Sequence, residues 1–149
     1  MKKRSGFTLI ELLIVIGIIA ILAGIVIIAV NPTKQFAEAN NAQRQSDVNA
    51  VLNAISQYGV DNRGIMPAFV TAAGSGGDVL ESTATDATEL CNLLVPTYIS
   101  ALPFDPTAAG AGYTDCSDFD TQYEIALSGG RITVSAPNAE EGAAISITR

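Results

Sequence analysis

From Phe7 to Val30 the chain reads FTLIELLIVIGIIAILAGIVIIAV, twenty-four residues carrying one charge, Glu11. A helix needs about 20 apolar residues to cross a bilayer, so this run commits the start of a 149-residue protein to lipid or to a protein core. Lys2, Lys3 and Arg4 stand before it. A basic flank stays on the cytoplasmic side and sends the rest of the chain outward. A secretory signal has an apolar region of about 7–15 residues followed by a small-residue cleavage site. The run here is longer, and no clean A-x-A follows it. An uncleaved single-span anchor satisfies the hydropathy but leaves Glu11 unexplained.

A carboxylate inside the membrane costs up to about 2.5–3.5 kcal/mol on insertion scales, less near a helix end, and marks a functional residue whose partner must be named. No Lys or Arg occurs between Arg4 and Lys34. Two readings remain on physical grounds. Glu11 snorkels to the interface and is satisfied by water, or it meets a free α-amino group on Phe7, which exists only if the chain is cut after Gly6.

The stretch Lys2-Lys3-Arg4-Ser5-Gly6-Phe7-Thr8-Leu9-Ile10-Glu11-Leu12-Leu13 resembles the leader and N-terminus of type IV prepilins: a short basic leader ending in Gly, then Phe, then an apolar run with Glu at its fifth place. The resemblance implies cleavage between Gly6 and Phe7 by a membrane prepilin peptidase and N-methylation of Phe7. It also implies that Glu11 docks the subunit into a growing filament by meeting a neighbour's positive terminus. The implied partners are further copies of the chain, the peptidase, an inner-membrane assembly platform and a motor ATPase. The subunit waits as a single-pass membrane protein and ends in a surface filament. A type IV pilus subunit is the first expectation. A pseudopilin of type II secretion is the alternative, because Leu94–Pro106 (LVPTYISALPFDP) resembles the linker of major pseudopilins. An anchored domain of another kind comes third.

The rest of the chain fits this outline. Asn31 is placed to cap a restarting helix with Pro32 at its first position, or Pro32 kinks a continuous one. Residues 33–58 contain no Gly or Pro, and Val48, Val51, Leu52, Ile55 and Tyr58 make one apolar stripe. Arg44 and Asp47 are spaced to pair along this helix, and Gly59 is read as its stop. A continuous helix over 7–58 would run about 78 Å. Residues 59–84 read as an irregular connection that packs few large side chains. Asp86-Ala-Thr-Glu89 resembles a capping box opening a short helix at about 86–95. Tyr123–Leu127, Arg131–Ala136 and Ile145–Ile147 alternate as three strands, with Ser128-Gly129-Gly130 as a hairpin signal. The expected fold is therefore α+β, a long N-terminal helix packed on a small antiparallel sheet. Its parts are a leader (1–6), an apolar helix (7–30), an amphipathic half (31–58) and a globular domain (59–149).

Cys91 and Cys116 are the chain's two cysteines. Outside the cytoplasm they are free to pair, and bridged cysteines in pilins agree with that. Two buried thiols or a reactive Cys are the alternatives. The chain has no His, and nothing nearby activates a nucleophile. Asp115, Asp118 and Asp120 lie within six residues. They read as a solvated acidic loop rather than a calcium site, although major pseudopilins hold calcium in a loop near the end of the domain. No cofactor is expected. Without the first six residues, five basic side chains face fifteen acidic ones, a net of −10, which argues against nucleic-acid binding. No catalytic motif occurs, and an enzyme is not expected.

Overall fold

Thr8 opens the first helix. The computed structural model describes residues 6–149, the side chains of 28–30 aside, so Lys2, Lys3 and Arg4 lie outside the described residues. Helix α1 spans Leu9–Val30, about 33 Å at the α-helical rise. Among the described residues it is the one helix long and apolar enough to cross a membrane. Its apolar side chains up to Ile27 are exposed on every side, as expected of a segment whose solvent is lipid or other helices. Asn31 ends it in the left-handed region, φ 44°, which Asn tolerates better than most residues.

Helix α2 then restarts at Pro32 and runs to Asp61. Its first amide acceptor is the Asn31 carbonyl, bonded by Lys34 N (3.1 Å) and Gln35 N (3.3 Å). Proline is suited to this position because its missing N–H is not needed there. The chain divides into two compact units, one ending at Phe36 and the other Ala37–Arg149.

In the second unit, Val48, Val51, Leu52 and Ile55 of α2 are fully buried in the core. The helix passes through Gly59 instead of stopping there. A Cβ at Gly59 would come 2.6 Å from the Met66 Cε, so this glycine serves close packing. The actual stop is a turn later, where Gly64 N bonds the Gly59 carbonyl at 2.7 Å and Arg63 and Gly64 take positive φ.

Residues 59–84 are more ordered than their composition indicates. Helix α3 (Ala68–Ala72) and strand β1 (Asp78–Glu81) lie within them and bury Phe69, Val70 and Leu80. Elements of four or five residues are too short to display a period, which is why the sequence reading passes over them. Helix α4 (Ala87–Leu94) buries Leu90, Cys91 and Leu94. Asp86 precedes it with φ 63° and makes no side-chain cap, so the expected capping box is not formed.

The sheet has five strands among the described residues, not three: β1, β2 (Gly112–Asp115), β3 (Asp118–Ser128), β4 (Arg131–Ala136) and β5 (Ile145–Thr148). The antiparallel order is β1-β3-β4-β5, and β2 also pairs with β3. Phe119, Thr121, Tyr123 and Ile125 of β3 point inward, and β3 begins five residues before the apolar alternation starts. Thr121 tolerates burial because its hydroxyl donates to the Leu80 carbonyl (2.8 Å). Gly129 and Gly130 both take positive φ and close the β3–β4 hairpin, as a two-residue turn of this hand requires.

Cys91 of α4 and Cys116, in the β2–β3 turn, form a disulfide with Cα atoms 5.4 Å apart. The bond closes 25 residues, worth about 3 kcal/mol in the loop-entropy model. Reducing it in the full chain held in detergent is expected to lower the unfolding free energy by about that amount. Urea titrations with and without reductant check this, and identical midpoints would refute it.

Candidate assembly site

The first turn of α1 gathers the polar groups of an otherwise apolar segment. Thr8 is the N-cap, with extended φ −83° and ψ 153°. Its hydroxyl accepts from Glu11 N at 3.3 Å. The Glu11 carboxylate reaches back to accept from Thr8 N (2.7 Å) and from the Thr8 hydroxyl (2.9 Å). This reciprocal box satisfies donors that a helix start leaves unpaired and places a negative charge at the positive end of the helix dipole. The sequence reading missed Thr8, although Thr-x-x-Glu ahead of an apolar run is the signal for such a box. Gly6 and Phe7, the residues flanking the expected cleavage point, are exposed ahead of α1. The first turn therefore presents an exposed Gly6–Phe7 pair and a carboxylate one turn away.

The acidic triplet does not converge on a metal. Asp115 Oδ1 accepts from Ser117 N (2.7 Å) and Oγ (2.6 Å). These bonds, the hydroxyl's first, hold its carboxyl below the usual value. Asp120 accepts from Gln122 N (3.0 Å) and Nε2 (2.7 Å). Asp118 sits across the hairpin from Asp115. No group of three or more His, Cys, Asp or Glu among the described residues is placed to hold a metal ion. Asp115 and Asp120 thus each spend a carboxylate oxygen on a neighbour two residues on.

Arg44 does not pair with Asp47. It is fully buried and donates Nε to Asp105 Oδ2 (2.7 Å) and Nη2 to Asp105 Oδ1 (3.0 Å). Nη2 also reaches Thr107 Oγ1 (2.6 Å), and Nη1 reaches Asn41 Oδ1 and Glu140 Oε2, both at 2.9 Å. Asp47 instead accepts from Gln43 Nε2 (2.8 Å) and the Tyr123 hydroxyl (2.8 Å). Burial raises the Asp47 carboxyl against these two bonds and, with Asp47 beside it, raises the Tyr123 phenol. Burial also pushes the Asp105 carboxyl upward. The Arg44 bonds and the Thr107 and Ala108 amides outweigh it and hold that carboxyl below 3.8. Asp105 lies 61 residues from Arg44, so no local spacing announces the pair.

The class follows from these features: a pilin-like α+β subunit with one N-terminal apolar helix of membrane-spanning length. Residues 1–27 match the family model described as a prokaryotic N-terminal methylation motif. The type II secretion system core protein G of Aeromonas hydrophila is 34% identical over 105 residues, 70% of this chain and 68% of the relative. The protein of the same name from Escherichia coli K12 is 33% identical over 104 residues, 70% and 67% of the two chains. That of Vibrio cholerae O1 El Tor is 33% identical over 121 residues, 81% and 77%. No solved structure matches. The chain belongs to the family of type II secretion system core protein G. The relatives support the pseudopilin, the alternative on sequence grounds, over the type IV pilus subunit expected first.

Proposed function

We propose that this chain is a pseudopilin, a structural subunit of the short filament of a type II secretion system. The observation that carries the reading is similarity to the core protein G relatives over two thirds or more of their length. Prepilin peptidase cuts between Gly6 and Phe7, Phe7 is N-methylated, and α1 anchors the subunit in the membrane with the domain outside. There Glu11 is costly, and its bonds to Thr8 offset part of that cost. In the filament the α1 helices of many copies bury one another, and Glu11 gains the charged terminus of a neighbour. The work of extraction comes from a motor ATPase acting through an inner-membrane platform.

Intact-mass and N-terminal peptide mass spectrometry on membranes and on sheared surface material tests this proposal. The expected species begins at N-methylated Phe7 and is recovered from membranes, and deleting the gene blocks release of exported proteins. Recovery mainly from sheared long fibres, with secretion intact, would return the chain to the type IV pilus reading. A chain retaining Met1–Gly6 in cells with active prepilin peptidase would overturn both.

A further inference from the structure

Arg44 ties together three segments distant in sequence: its own helix through Asn41, the 105–107 turn through Asp105 and Thr107, and the 137–142 loop through Glu140. Each of the five guanidinium N–H groups has an oxygen partner, and no buried side-chain nitrogen or oxygen among the described residues is left unpaired. Glu140 is further held at both ends of its residue. Its carboxylate accepts from Asn40 Nδ2 (3.0 Å), its amide donates to Asn41 Oδ1 (2.9 Å), and its carbonyl accepts from Asn41 Nδ2 (2.9 Å). The Asp105 carboxylate also caps the turn by accepting from Thr107 N and Ala108 N, both at 2.9 Å.

Gathering carboxylate, amide and hydroxyl oxygens from separate loops around one positive charge is the work a calcium ion does in other domains. We infer that in this protein Arg44 is the built-in cation that closes the last loop of the domain, and that the fold is independent of divalent metal. This goes beyond the proposed function and stands on the second unit alone. The charges support it. A divalent ion approaching Asp105 or Glu140 meets a guanidinium already within hydrogen-bond distance of both. The neighbouring Asp47 carboxylate is occupied by Gln43 and Tyr123. The acidic triplet on the β2–β3 hairpin has no convergent geometry to offer instead. Unlike an ion, the guanidinium is covalently part of the chain, so dilution or a chelator cannot remove it.

The test uses the full chain in detergent micelles. Thermal unfolding is followed by near-ultraviolet circular dichroism in millimolar calcium chloride and in excess EDTA, alongside limited proteolysis of residues 137–142. The expected result is one melting temperature and one cleavage rate in both buffers. A second variant, E140A, removes a single, partly exposed partner and spares the Asp105 pair. It is expected to keep the fold while cleavage in 137–142 speeds up several-fold, with calcium failing to restore protection. A melting temperature several degrees higher in calcium than in EDTA overturns the inference, as does calcium-dependent protection of the loop in either protein.

Discussion

Replacing Arg44 with methionine is expected to destabilise the second unit by about 3–5 kcal/mol, because it strips a buried carboxylate of its counter-charge. Asp105 is 1% exposed and receives two bonds from Arg44. Only the Thr107 and Ala108 amides and the Thr107 hydroxyl then remain to it. The pH dependence distinguishes this cause from simple loss of packing. In the wild type the folded Asp105 carboxyl lies below 3.8. Its contribution is present above the unfolded value and is lost as pH falls through the folded one. Glu140, held below 4.5 chiefly by Arg44, follows the same sign with a smaller effect because its side chain is 37% exposed. Asp47 runs the other way, its raised carboxyl costing stability at neutral pH that is regained on acidification. In Arg44→Met, burial acts on Asp105 against the Thr107 and Ala108 bonds only, so its carboxyl rises relative to the wild type and the variant loses less stability on acidification. Urea unfolding of both full chains between neutral pH and pH 4 checks this. Parallel pH profiles would show that the guanidinium's charge is not what Asp105 requires.

A Glu11→Leu chain is expected to be cut and inserted normally and to yield no filament. Leucine removes the cost of holding a carboxylate at membrane depth, so the bilayer retains the variant roughly tenfold to a hundredfold more tightly. It also removes the acceptor of the two Thr8 bonds and the charge proposed to meet a neighbour's terminus. Glu11→Gln separates these roles, since it keeps an oxygen for Thr8 but carries no charge. Quantifying processed chain in membrane and filament fractions decides between them. Assembly by the Leu variant at wild-type yield would remove Glu11 from the mechanism. Assembly by the Gln variant alone would leave it a helix cap.

The parts of this molecule legible in the sequence are those where a pattern repeats along the chain. The apolar run, the stripe from Val48 to Ile55 and the alternation in Arg131–Ala136 each place their elements to within a few residues. The missed parts depend on partners brought from elsewhere. Gly59 looks like a stop until Met66 packs against it. The Asp118–Gln122 end of β3 reads as polar loop because Thr121 finds its acceptor in β1, forty-one residues away. At the assembly site, Glu11 stands out as a lone charge among apolar residues. Thr8 is hidden because its role lies in the backbone geometry of one turn. Arg44 is spaced along the helix to meet Asp47, but its surroundings are tertiary and supply Asp105 instead.

Helix α1 has no face more polar than another, so it behaves as a featureless rod toward apolar surroundings. Glu11, tied to Thr8 at one end, is its one charged side chain. A contact made there sets the azimuth of the whole rod, much as a key on a shaft does.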